Sequence, residues 1–104
     1  AIEQASQYAM EIPLLTAETA LKGMEICMDM VRTGNPNSIT DAGVGALCIR
    51  TAVLGAVMNV RINAGGIKDK TFTERLLQRA SEIEKQAEEQ EMEVRNLVKL
   101  EIEK

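Results

Sequence analysis

The sequence predicts an all-α protein: a helical bundle with a buried central helix and a long charged C-terminal helix. Composition is the first ground for this. The chain has 104 residues, 45% of them hydrophobic, with only 2% aromatic, seven Gly and two Pro. That is apolar surface enough for one core and too few turn and aromatic residues for an all-β fold. Periodicity is the second ground, because apolar residues recur at three and four spacing in each long segment. Charge placement is the third: of the 28 charged residues, 10 fall in residues 1–64 and 18 in residues 65–104, so the last segment faces more water.

Residues Ile2 to Val31 read as helix punctuated at Pro13. Ile2, Ala5, Ala9 and Ile12 make one stripe, and Leu14, Ala17, Leu21, Met24, Met28 and Val31 make the next. The proline removes a backbone donor and is expected to kink or restart the helix. Five of the six methionines lie between Met10 and Met58, and at helical spacing they read as core filling.

Thr33-Gly34-Asn35-Pro36-Asn37 reads as a turn, with Gly34 closing the first helix and Pro36 keeping Asn35 out of the helical region. It leads to the central helix, which starts at Ser38 with Asp41 three residues on, a capping-box-like pair, and stops at Ala64-Gly65-Gly66. About 25 residues of helix fit between these signals. Val44, Leu47, Ile49, Val53, Leu54, Val57, Met58, Val60 and Ile62 fall on several sides of it, so burial on all sides is expected.

Gly43, Gly45 and Gly55 lie inside this helix, at a cost of roughly 0.8–1 kcal/mol each relative to alanine. Close packing or a ligand must offset that. Projected at about 100° per residue, Asp41, Asn59 and Asn63 share one side, with Gly45, Cys48, Ala52 and Gly55 between them and Arg50 and Arg61 nearly opposite. The result is a groove floored by small residues with polar groups at its ends. Asp41 and Asn59 stand roughly 27 Å apart along the axis, so they mark two separate patches.

Each polar group has a structural and a binding reading. Asn37, Ser38 and Asp41 serve as turn, cap and dipole partner; the free amides there also suit an anion. Asn59 and Asn63, one turn apart in an apolar run, call for buried partners: another helix, an interface or a ligand.

Lys70 to Lys104 reads as a long amphipathic helix. Leu76, Ala80, Ile83, Ala87, Gln90, Val94 and Leu97 form its apolar stripe, and Glu84, Lys85, Glu88, Glu89, Glu91 and Glu93 its solvated face.

Several classes are disfavoured. A net charge of -4 argues against nucleic acid or an acidic membrane surface as partner. Asp41, Arg50 and Arg61 interrupt the apolar helix, leaving uncharged runs too short to cross a bilayer. With no histidine and no CxxC spacing, Cys27 and Cys48 do not make a zinc site and read as free buried thiols in a reducing cytoplasm. Gly65-Gly66-Ile67-Lys68-Asp69-Lys70-Thr71 lacks the ending of a phosphate loop and a preceding strand.

The order of short motifs carries a resemblance. Asn35, Asn37, Ser38 and Asp41, the small-residue helix, then Asn59-Val60-Arg61-Ile62-Asn63 and Asp69-Lys70-Thr71-Phe72 resemble the formiminotetrahydrofolate cyclodeaminase and methenyltetrahydrofolate cyclohydrolase family. Ala5, Ala9 and Pro13 fit the same family's helix with a proline kink. The resemblance covers nearly all of the chain. It implies a cytoplasmic one-carbon enzyme, a lyase or hydrolase, that forms 5,10-methenyltetrahydrofolate and ammonia from 5-formiminotetrahydrofolate, or hydrolyses the methenyl form.

Asn37, Ser38, Asp41, Asn59 and Asn63 would then contact the folate, with no metal and no cofactor beyond tetrahydrofolate as substrate, in a homodimer. The family's glycine-rich opening and its aspartate in a D-x-x-A-aromatic context have no counterpart here. Residues 1–104 are therefore expected to be the C-terminal half of such a domain, inactive alone. The alternative is a non-catalytic helical oligomerisation module, supported by the heptad-like last helix.

Overall fold

The three periodic segments become three long helices in a computed structural model that describes residues 1–104. In chain order these are α1 (Ile2–Thr33), a single 3-10 turn (Pro36–Ser38), α2 (Ile39–Ala64) and α3 (Lys70–Ile102). They lie side by side as an up-down-up rod of 57 × 17 × 16 Å, with α2 against both α1 and α3. A rod this thin has one layer of core. That core divides into a cluster at one end, with Met10, Ala17, Val53, Val57, Val60, Ile67 and Ile83, and another towards the 3-10 turn, with Met24, Met28, Val31, Ile39, Ala46 and Val94.

Close helix contact explains three of the glycines. A Cβ on Gly23 would stand 3.2 Å from Ile49 Cδ1, one on Gly43 3.2 Å from Val98 Cγ2, and one on Gly45 3.3 Å from Cys27 Sγ. Gly55 is different: a Cβ there meets nothing within 4 Å. Packing inside this chain gives no use for its propensity cost of about 0.8–1 kcal/mol.

Helix ends are fixed by local bonds. Asn35 Oδ1 accepts from Asn37 N at 2.9 Å, and Asp69 Oδ1 accepts from Phe72 N at 3.1 Å, capping α3. The Ser38–Asp41 capping box does not form, since Ser38 makes no side-chain cap bond and its backbone is already near-helical at φ -105, ψ -4. Pro13 does not break α1, which runs unbroken from Ile2 to Thr33. Neighbouring helix turns and packing carry it through the missing donor.

The N-terminal turn of α1 is tied to the α2–α3 connection by Glu3. Its carboxylate accepts from Lys68 N at 3.1 and 3.2 Å and from Asp69 N at 3.2 Å. These bonds from Lys68 and then Asp69 hold the Glu3 pKa below its ordinary 4.5. A depressed folded value gives stability that is present above 4.5 and lost as pH falls through the lower folded value. The Lys68 and Asp69 amide proton shifts are therefore expected to titrate together with a midpoint below 4.5, and Glu3→Gln to abolish that titration; a midpoint at or above 4.5 would contradict the tie.

Two further expectations are corrected. The central helix is not buried on all sides: Val44, Met58 and Ile62 are 59%, 67% and 78% exposed, because only α1 and α3 cover it. Its buried residues are confined to the side carrying Ile39, Ala42, Ala46, Val53, Ala56, Val57 and Val60. By length and composition Pro36–Ala64 is apolar enough to span a bilayer, unlike the reading from its short uncharged runs. In this fold it is instead joined at mid-length to α3 by Arg50.

The second correction concerns α3. Glu91, read as solvated, is fully buried, and the stripe runs through Ala87, Glu91, Val94 and Val98 rather than through Gln90 and Leu97. Arg50 Nη1 donates to Glu91 Oε1 at 2.7 Å, and Arg95 Nε donates to Glu91 Oε2 at 2.9 Å. The half-buried guanidinium of Arg50 on α2 turns the register of α3 so that a carboxylate meets it. Arg61, also on α2, forms a two-pronged pair with Glu84 at 2.9 and 3.0 Å, which raises its pKa first through that hydrogen bonding.

Candidate functional site

The open side of the α1–α2 seam forms a groove. Its main part, about 480 Å³, is lined by Ala9, Ile12, Pro13 and Thr16 of α1 and by Thr51, Ala52, Gly55, Ala56, Asn59 and Asn63 of α2. A second part of about 470 Å³ continues towards the chain start past Ile2, Ala5, Ser6, Ile62 and Gly66, sharing Ala9 and Asn63 with the first. Both volumes fall within the range of small-molecule sites.

Small side chains open this groove. Ala9, Ala52 and Ala56 face it, and Gly55 adds no side chain, so the backbones of two neighbouring helices are accessible from one side. The Ile2, Ala5, Ala9 and Ile12 stripe, which reads from sequence like core, is its α1 wall; Ile2 is 86% exposed. The Pro13 ring sits in the same wall. Thr16 and Thr51 turn their hydroxyls back onto their own helices, donating to Ile12 O at 3.1 Å and Leu47 O at 3.0 Å.

Asn59 and Asn63 supply the amides. Asn63 is half-buried and its Nδ2 donates to Asn59 O at 2.8 Å; Asn59 is exposed. Neither is bound to another helix. The expected buried partners are therefore not found: both amides stand at the lining of the groove with donors and acceptors open to water. No ionisable side chain lines either part. The lining offers shape and hydrogen-bonding groups and no charge of its own.

Asn37, Ser38 and Asp41 lie at the other end of α2. Asn37 and Asp41 are exposed and Ser38 is half-buried, and none lines the groove. Ser38 N donates to Asn35 O at 2.8 Å, so this cluster closes the 3-10 turn. The structure therefore brings together Asn59 and Asn63 and leaves the other three apart. Sequence reasoning missed Ile12, Pro13, Thr16 and Thr51; the doubled stripe of α1 was the available signal. Cys27 is buried and burial raises its pKa, whereas Cys48, expected to be buried, is exposed because it faces outward from α2.

An all-α bundle with a ligand-sized groove of small residues and two amides is the class this geometry defines. The chain belongs to the family described as Formiminotransferase-cyclodeaminase, which matches residues 1–82. It is similar to the methenyltetrahydrofolate cyclohydrolase of Methylorubrum extorquens, 32% identical over 76 residues, 73% of this chain and 36% of the relative. It is also similar to the formimidoyltransferase-cyclodeaminase of Dictyostelium discoideum, 36% identical over 89 residues, and that of Rattus norvegicus, 30% over 90; each alignment takes in 86% of this chain and 17% of the relative. The chain thus spans little more than a third of the relatives' length, or less.

Proposed function

We propose that this chain provides the folate-contacting helices of a one-carbon enzyme, acting on 5-formiminotetrahydrofolate as a cyclodeaminase or on the methenyl form as a cyclohydrolase. The observation that carries the proposal is the uncharged groove holding Asn59 and Asn63 on the part of the chain that the family matches. A pteridine ring is flat, apolar on its faces and rich in amide-like donors and acceptors at its edge. Helix backbones made accessible by Ala52, Gly55 and Ala56 suit the faces, and the asparagine amides suit the edge.

In the cyclodeaminase reaction N10 attacks the formimino carbon, a proton passes from N10 to the leaving nitrogen, and ammonia departs. The groove residues orient the flexible folate so that N10 meets that carbon. Because no ionisable group lines the groove, these residues do the positioning, and the proton is moved by a group from outside it. The cyclohydrolase reaction, water addition followed by ring opening, needs the same orientation. Tetrahydrofolate is the substrate in both and no further cofactor is invoked.

Asn37, Ser38 and Asp41 are the second folate-contact patch that the family resemblance implies. Their distance from Asn59 suits the glutamyl tail better than the ring. The uncovered apolar side of α2 favours a second reading, a non-catalytic helical oligomerisation module.

Binding of 5-formyltetrahydrofolate, a stable probe, separates the two. The Asn59→Ala/Asn63→Ala variant is expected to weaken binding at least about tenfold, the loss of two modest hydrogen bonds, with helicity by circular dichroism unchanged. Unchanged affinity would assign the amides to packing. Absence of any folate affinity in the whole protein would remove the enzyme reading.

A further inference from the structure

We infer that Asn63 stands at the reacting centre of the folate, its carbonyl oxygen accepting from N10–H, while Asn59 holds one of the two ring systems. This rests on the folate reading of the groove and divides the work of its two amides. The shape of the groove carries it. The two parts, about 480 and 470 Å³, share only Ala9 and Asn63. Asn59 lines the first part alone, and Ile62 and Gly66 line the second alone. Asn63 is therefore the polar side chain at the waist between two compartments of nearly equal size.

A folate has the matching outline. Its pteridine and its aminobenzoyl ring are two flat bodies joined by one methylene and N10, so one ring in each compartment lays that short joint across the waist. N5, which bears the formimino carbon, and N10, which attacks it, flank the same joint. Asn63 meets them whichever ring takes which compartment.

The orientation of the Asn63 amide is fixed from within its own helix. Nδ2 donates to Asn59 O at 2.8 Å. A backbone carbonyl can only accept, so the NH2 group must face it and Oδ1 is left free to accept from a ligand. Held by its hydrogen, N10 is kept from rotating and its lone pair stays on the formimino carbon. The hydrogen bond strengthens as N10 gains positive charge on bonding that carbon, so it counts for more in the transition state than in the bound substrate. An amide oxygen does not keep the proton, which passes to the leaving nitrogen as ammonia departs. On the methenyl form, which has no N10–H, the same oxygen orients the attacking water.

The test is calorimetric titration of the full chain with 5-formyltetrahydrofolate and with its 10-methyl derivative, which lacks the hydrogen and adds bulk at the waist. The wild-type chain is expected to bind the 10-methyl ligand at least about tenfold more weakly. Asn63→Ala removes the acceptor and makes room, so this penalty is expected to shrink about fivefold or more, whereas Asn59→Ala weakens both ligands and keeps the penalty. Methylation also alters the free ligand, but equally for every variant, so the change in penalty reads Asn63 alone. Alanine favours helix at both positions, and helicity by circular dichroism should stay at the wild-type value. A 10-methyl ligand bound as tightly as its parent, or a penalty unchanged in Asn63→Ala or lost equally in Asn59→Ala, would overturn the placement of Asn63 and leave the folate reading standing. A chain that binds neither ligand would overturn both.

Discussion

Glu91→Ala is expected to destabilise the chain by about 3 kcal/mol and to lower Tm by more than about 10 °C. Glu91 is fully buried and accepts from Arg50 at 2.7 Å and from Arg95 at 2.9 and 3.2 Å. Its removal strands the Arg50 guanidinium, whose only other carboxylate is Glu88 at 3.5 Å. Arg95 is 54% exposed and returns to water, which keeps the loss near the lower end of the range for broken buried pairs. Replacing both Arg50 and Glu91 by Met leaves no charge behind and is expected to cost much less, or nothing. Urea denaturation of both variants checks this; equal losses in the two would show that the pair, and not the stranded charge, carries the energy.

Ile83→Ala is expected to cost about 3 kcal/mol, of the same order. Ile83 is fully buried, in the core cluster that also holds Val53, Ala56, Val57 and Val60 of α2. In a rod with a single core layer few other side chains are available to collapse into the space, so both the transfer and the cavity contributions are felt. Met92→Ala, one face away on α3 at 52% exposure, is expected to stay within about 0.5 kcal/mol. A loss below about 1 kcal/mol for Ile83→Ala would mean that α3 docks more loosely than described.

The helices themselves were legible because each long segment kept a three-and-four apolar rhythm. Ala64 as the end of α2 follows from the glycines after it, and the structure adds Asp69 as the cap that starts α3 at Lys70. What the rhythm did not reveal was which apolar residues would lack a neighbour. Val44, Met58 and Ile62 read like core because apolarity does not distinguish a face against α1 from a face against something outside the chain.

The Glu91 error has a different origin. Gln90 and Glu91 are both polar and adjacent, and the spacing within one segment does not show that Glu91 is the one fully buried, where it meets Arg50 of the neighbouring helix. Asn59 and Asn63 drew notice because two amides in an apolar run need an explanation, and in the structure both line the groove. Asn37, Ser38 and Asp41 looked equally polar, but local backbone geometry occupies Asn37 and Ser38 at the 3-10 turn, and Asp41 stands apart from the groove. Ile12, Pro13 and Thr16 could not be assigned from α2 alone, since they reach the groove only when α1 packs beside it.

The central claim, that the α1–α2 groove receives the folate, is tested most directly by titrating the isotope-labelled chain with 5-formyltetrahydrofolate and following backbone amide shifts. Saturable perturbations are expected at Thr16, Gly55, Asn59 and Asn63, with α3 residues such as Lys85 and Glu89 unmoved. Saturable shifts confined to residues away from the groove, or none at millimolar ligand, would contradict it.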